Sequence, residues 1–157
     1  MISFVRDVLQ SKICAMNKGF VAQVSVNINA PVEKVWDALV KPEIIKQYMF
    51  DTEVVTNWKE GEPIIWKGMW NGKPYSDKGV ILKVKPKEIL EYSHYSPLSG
   101  HPDEHVNYHT LTYELSEEGG QTHLSLLQDN NASEEEQEQS QKMWESMMLE
   151  LKQLLEN

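Results

Sequence analysis

The stretch SEEEQEQSQKMWESMMLELKQLL, residues 133–155, decides the fold. Ser133 followed three residues later by Glu136 is a capping box, in which hydroxyl and carboxylate satisfy amides that a first helical turn leaves free. Downstream, Met143, Trp144, Met147, Met148, Leu151, Leu154 and Leu155 fall on one wide apolar stripe at helical spacing. A helix running to Leu155 at about 1.5 Å per residue spans roughly 30 Å, enough to cross a small sheet. Such a stripe needs a sheet to lie on.

The rest of the chain supplies one. From Ala22, strict alternation of Val24, Val26 and Ile28 with Gln23, Ser25 and Asn27 predicts a half-buried strand. Asn29-Ala30-Pro31 ends it, and Pro31 suits a first helical turn because its missing N–H costs nothing there. Val32, Val35, Trp36 and Leu39 then make a helical stripe, and Pro42 breaks it and opens a second short helix carrying Ile44, Ile45 and Tyr48. Six strand-like segments follow, over 52–56, 64–70, 76–85, 89–95, 106–115 and 122–130. Turn chemistry separates them at Glu60-Gly61, Asn71-Gly72-Lys73-Pro74, Lys85-Pro86-Lys87 and Glu118-Gly119-Gly120. Short connections between consecutive strands imply an antiparallel meander. The fold class is therefore α+β, with a curved antiparallel sheet of six to seven strands, two short helices after the first strand and a long C-terminal helix across the sheet.

With 157 residues, 40% of them hydrophobic and 25% charged, the chain has the size and composition of one globular domain. A net charge of −9 opposes nonspecific binding to nucleic acid or anionic lipid. The acidic run Glu134, Glu135, Glu136 and Glu138 reads as a solvated helix start. The single cysteine, Cys14, rules out an intramolecular disulfide framework and a cysteine-rich zinc site, and it fits a reducing compartment. No apolar stretch reaches membrane-spanning length and the N-terminus lacks signal-peptide character, so the expected address is the cytoplasm, without membrane insertion. Residues 1–18 form an N-terminal extension with Ile2, Val5, Leu9 and Ile13 at helical spacing, open to two readings: an added helix, or a tail with no fold of its own. Residues 19–157 form the domain proper.

The element order resembles the helix-grip superfamily that includes START lipid-transfer domains, birch-pollen allergens and polyketide cyclases. Ala30-Pro31, Val35-Trp36-Asp37-Ala38-Leu39, Lys41-Pro42-Glu43, Gly79-Val80 leading through Val84 and Pro86 to Ile89-Leu90, and the closing Trp144, Met148, Leu151-Lys152 and Leu155 narrow this. They resemble the family named after the activator of the heat-shock-protein-90 ATPase. The resemblance covers most of the chain, but these motifs mark a scaffold and not a chemistry. Co-chaperone activators of that family carry a separate N-terminal domain for which this chain has no room, which weighs against a chaperone role.

In a helix-grip fold the concave face of the sheet and the long helix bound a cavity, and strand alternation predicts which side chains enter it. The inward set is Ile64, Trp66 and Trp70; Val80, Leu82 and Val84; Leu90, Tyr92 and His94; His109, Leu111 and Tyr113; and Leu124, Leu126 and Gln128. Each strand's set depends on its register, because a one-residue slip moves it to the other face. Adding the helix, the candidate ligand-binding residues are Trp66, Trp70, Leu82, Tyr92, His94, His109, Leu111, Tyr113, Gln128, Trp144, Met147, Met148 and Leu151. Met143, Met147 and Met148 would make an adaptable lid. Taken one at a time these residues read as ordinary core. As a set, the polar tips of Trp66, Trp70, Tyr92, His94, His109, Tyr113 and Gln128 exceed what a dry core tolerates, and a ligand or ordered water would partner them.

His101, His105 and His109 stand four apart, but Pro102 forbids the helix that would align them as metal ligands, and His109 belongs to an alternating segment. No metal and no cofactor are implied. No nucleophile elbow, phosphate-cradling loop, kinase signature or zincin helix is present, so no catalytic residue is assigned. The leading reading is noncatalytic binding of a small hydrophobic molecule, as carrier or sensor, by a monomer or homodimer. Two alternatives stand beside it: a protein-interaction module assisting a chaperone or stress response, and a cyclase or hydrolase-like enzyme using His94, His109, Tyr92 and Tyr113. A cavity of several hundred cubic ångströms would favour the first over the second. Two polar side chains meeting within hydrogen-bond reach inside it would mark the third.

Overall fold

A computed structural model describes residues 19–157, so the expectation for residues 1–18 lies outside the described residues. Seven strands form one antiparallel sheet: β1 Phe20–Ile28, β2 Glu53–Val55, β3 Pro63–Trp70, β4 Lys73–Lys85, β5 Ile89–His94, β6 His109–Glu118 and β7 Gln121–Asn131. Their spatial order is β1-β7-β6-β5-β4-β3-β2, so the meander from β2 to β7 is closed off by β1 alongside β7. Helices α1 (Val32–Val40) and α2 (Pro42–Tyr48) connect the two edge strands, and α3 (Glu134–Glu156) lies across the sheet.

Local chemistry sets these boundaries. Pro31 stands at the α1 cap, with Pro31 O accepting from the Lys34 and Val35 amides, and Pro42 takes the first turn of α2. Asn71 and Gly72 both have positive φ, 49° and 77°, which is the two-residue turn that matches the twist of a hairpin. That turn lets β4 begin at Lys73, three residues earlier than the expected strand. The Ser133 hydroxyl accepts the Glu136 amide at 3.1 Å, while the Glu136 carboxylate accepts the Ala132 amide at 2.5 Å, so the capping box closes one residue upstream of its usual partner.

The core lies between the concave face and α3. Ile28, Ile64, Ile81, Leu90, Leu124 and Leu126 from the sheet meet Met147, Met148 and Leu151 from the helix, all fully buried. Polar pegs hold both ends of the helix. At its start, the Ser140 hydroxyl donates to Asn131 Oδ1 at 3.0 Å and Asn131 Nδ2 donates to the Phe20 carbonyl at 2.9 Å. At its end, Lys152 Nζ donates to the Asn27 carbonyl, Lys34 Nζ donates to the Leu155 carbonyl, and Glu156 accepts the Asn29 amide.

Three expectations need correction. Val80 and Leu82 point outward, 38% and 44% exposed, because β4 presents Tyr75, Asp77, Gly79 and Ile81 to the interior and then shifts register between Ile81 and Lys83, which turns Val84 back inward. Trp70 has the expected parity but sits at the tip of the β3–β4 hairpin, paired with Lys73, and is 63% exposed. The segment expected to be strand from residue 106 instead forms a single 3-10 turn, His105–Asn107, and β6 begins at His109.

Candidate functional site

Between α3, the end of α2 and strands β3 to β6 lies a cavity of about 300 Å³. Its apolar walls are Trp66, Tyr92, Leu111, Met147 and the rings and chains of Met49, Phe50, Met143 and Trp144. Thr52, Tyr75, Asp77, His94 and Ser96 bring polar atoms to it. Phe50 and Met143 are 73% and 46% exposed, which places the opening on their side. Phe50 also has φ of 53°, in the left-handed region that a bulky residue adopts at a cost of roughly 1–2 kcal/mol.

Each wall follows from its strand. Trp66 on β3 stands opposite Asp77 on β4 in the ladder, and its ring lies 5.0 Å from Tyr92 and 4.9 Å, edge-on, from His94. Aromatic contacts of this tilted kind add to the burial term that holds the wall. Asp77 Oδ2 accepts from His94 Nε2 at 2.9 Å, and the Asp77 side chain is 13% exposed. Tyr75 lies over Gly68, where a Cβ would meet its hydroxyl oxygen at 2.6 Å, and that hydroxyl shares a 2.9 Å hydrogen bond with Thr52. Gly68 therefore makes room for a phenol at the cavity edge.

Of the residues expected in the site, Trp66, Tyr92, His94, Leu111, Trp144 and Met147 line this cavity together. Tyr113 does not line it; it packs against Tyr92 in the buried core, their hydroxyls 3.5 Å apart. Gln128 is not a free polar tip: its carbonyl oxygen accepts the Trp144 indole N–H and its amide reaches Asn131 and Ser140. Met148 and Leu151 are buried core behind the cavity wall. His109 donates from Nδ1 to the Asp129 carbonyl at 2.8 Å and lines a neighbouring chamber of about 130 Å³, whose wall it shares with His94. Leu82 belongs to a depression of about 550 Å³ on the opposite face of the sheet, and Trp70 to the hairpin tip. The outer depression is larger, but its apolar walls Val80 and Leu82 are solvated, whereas Trp66, Tyr92, Leu111 and Met147 are each at most 5% exposed. Among the described residues no group of three or more His, Cys, Asp or Glu is arranged to hold a metal ion.

Sequence reasoning missed Met49, Phe50, Thr52, Tyr75, Asp77 and Ser96. One signal was available: an aspartate, depleted from strands, at the i+2 position from Tyr75 on a strand face is out of place unless it has work there.

The buried tyrosines carry a pH signature. Burial pushes the Tyr113 phenol up to about 12, and burial first, then Tyr113 nearby, raises Tyr48 and Tyr92 well above the ordinary range. A tyrosine whose folded value exceeds its unfolded value, near 10, gives stability that is complete below pH 10 and is lost as pH rises toward 12. For Tyr113 alone, the rise to about 12 corresponds to roughly 3 kcal/mol. We expect the urea midpoint to hold up to about pH 10 and fall steeply above it, with phenolate absorbance of the three buried tyrosines appearing only as the protein unfolds. Phenolate formation at these three positions in a protein that stays folded would contradict the burial described.

Comparison with known proteins follows the same lines. The family model for the Activator of Hsp90 ATPase homolog 1-like protein matches residues 29–156. The solution structure of ChR145 from Cytophaga hutchinsonii is 53% identical, over 88% of this chain and 95% of that one, with a TM-score of 0.79. CalU16 from Micromonospora echinospora is 25% identical over 83% of this chain and 73% of that one, with a TM-score of 0.67. The Aha1 dimer from Colwellia psychrerythraea, 18% identical over 88% and 97% of the two chains at a TM-score of 0.69, shares the fold. No match was found among curated proteins. No helix among the described residues is long and apolar enough to cross a membrane.

Proposed function

This chain belongs to the Activator of Hsp90 ATPase homolog 1-like family, within the helix-grip superfamily of START domains and polyketide cyclases, and from that premise we propose that it binds a small, mainly apolar molecule in the cavity between sheet and helix. The observation that carries the reading is the cavity itself: about 300 Å³, walled by Trp66, Tyr92, Leu111, Trp144 and Met147 with a few polar atoms at one side. That is the make-up of small-molecule sites in general, at the lower end of their size range. A packed interior would have favoured a role confined to the surface.

A second reading, acid–base catalysis on the bound molecule, is favoured by one observation. Asp77 and His94 meet at 2.9 Å inside the cavity, a carboxylate orienting an imidazole as general bases require.

Native mass spectrometry of the protein as purified from cells, followed by denaturing extraction, tests both. A stoichiometric extra mass supports binding, and a released molecule that the protein then converts on incubation supports catalysis. An apo mass with no thermal shift against apolar and aromatic metabolites would sink the binding reading.

A further inference from the structure

Two histidines beside the cavity each hold one nitrogen in reserve. His94 and His109 stand directly opposite in the β5–β6 ladder, so their side chains rise from the same face of the sheet with Cβ atoms roughly 5 Å apart. His94 Nε2 donates to Asp77 Oδ2 at 2.9 Å, and His109 Nδ1 donates to the Asp129 carbonyl at 2.8 Å. A neutral imidazole that donates from one nitrogen accepts at the other. His94 Nδ1 and His109 Nε2 have no hydrogen-bond partner among the described residues. Both remain accessible, since the buried side-chain polar atom without a partner there is Asp77 Oδ1 and neither of these nitrogens. Both histidines line the chamber of about 130 Å³, and His94 and Ser96 also line the apolar cavity, so the two spaces adjoin at these residues. The chamber offers donors as well. Ser96 Oγ accepts the Leu98 amide at 3.2 Å and Ser99 Oγ accepts the His101 amide at 3.3 Å, which leaves each hydroxyl hydrogen uncommitted.

We propose that the chamber is the polar end of the binding site and takes the neutral hydroxyl of an alcohol whose apolar body lies against Trp66, Leu111 and Met147. This rests on the binding reading above and deepens it to a ligand class. A hydroxyl donates and accepts at once, so it serves an imidazole nitrogen and a serine O–H together, whereas an ammonium only donates and a carboxylate only accepts. A carboxylate would also stand near Glu136 on the chamber wall and Asp77 beside His94, and like charges at close quarters are unfavourable. An ether of the same size fills the apolar walls but leaves the imidazole acceptors unmatched, and a site built for a hydroxyl rejects the analogue that lacks one.

The test is calorimetric titration with four compounds that share one apolar body: 3-phenylpropanol, its isomer 2-phenylethyl methyl ether, 3-phenylpropylamine and 3-phenylpropanoate. It is run at about pH 8, on the basic side of the range in which imidazoles ordinarily titrate. The alcohol should bind roughly 10-fold tighter than the ether, and tighter than the amine and the acid. His109→Phe keeps a ring but removes the acceptor, so the alcohol's advantage should shrink by roughly 5-fold, with ether affinity little changed. Binding of the ether, amine or acid as tight as that of the alcohol overturns the proposal and leaves the cavity reading standing, as does an unchanged alcohol-to-ether ratio in His109→Phe. Where a compound of the wider metabolite panel binds and these four do not, its own alcohol and methyl ether forms replace the first pair. Binding of none of the four, nor of any compound in that panel, overturns both readings. Should the Phe variant not fold, the wild-type series decides alone.

Discussion

Gly79→Ala is expected to lower stability by about 3 kcal/mol or more, because the added methyl has nowhere to go. A Cβ at Gly79 would lie 1.7 Å from the Ser93 carbonyl oxygen and 2.5 Å from its carbon. Both are backbone atoms of the neighbouring strand, so no rotamer change relieves the clash; β4 and β5 must part. The surrounding bonds would go with them: the Val80 amide on Ser93 Oγ at 3.0 Å, and the reciprocal Lys78 and Tyr95 backbone pair at 3.0 and 2.8 Å. For a domain of this size the melting temperature should fall by roughly 10 °C. Ser93→Ala, which removes only the side-chain acceptor, serves as the control and should cost about 1 kcal/mol. Since Asp77 and His94 flank this contact, Gly79→Ala should also pull their hydrogen bond apart. A melting temperature within about 2 °C of wild type would mean that the two strands are not held this close.

Trp66→Ala is expected to cost roughly 3–5 kcal/mol, the range for deleting a large buried aromatic. The indole is 5% exposed and touches both Tyr92 and His94. Its loss would merge its own volume with the existing cavity, leaving little for neighbours to collapse onto. Urea titration should show a lower midpoint with an unchanged slope, the mark of a weakened but intact fold. Trp66→Phe keeps a ring against Tyr92 and should recover most of the loss. If the Ala variant unfolds at the wild-type midpoint, Trp66 does not carry the wall assigned to it, and the cavity loses its central support.

These two positions differ in how they could be read. Trp66 was read as an inward residue from the polar Lys67 that follows it and the clear turn chemistry that ends its strand, although Ile64-Ile65-Trp66 alone satisfies either parity. Gly79 was legible only as a family mark; its reason is a contact with a strand fourteen residues away, which no local pattern encodes. The same holds for Val80-Ile81-Leu82. Three apolar residues in a row satisfy either parity, so alternation cannot choose, and the choice is made by Gly79 pressed against Ser93 and by the register shift after Ile81.

The candidate site divides in the same way. His94, Leu111, Tyr92 and Met147 were reachable from period and element order, since those set which face a side chain occupies. Gln128 has the expected parity, but its amide is spent on Trp144, Asn131 and Ser140, partners brought to it by the docking of α3. Asp77 stood out in the sequence only as an aspartate on a strand face, and its place opposite Trp66 and beside His94 was set by β4's register.

What the amino-acid order alone determined was therefore the elements and their succession: the capped C-terminal helix, the paired short helices and the run of strands. These rest on hydrogen bonds and hydrophobic periods closed within a few residues. Which side chains meet in the cavity was decided by strand register and helix docking, because those contacts join residues far apart in the chain and balance packing against polar satisfaction over the whole core.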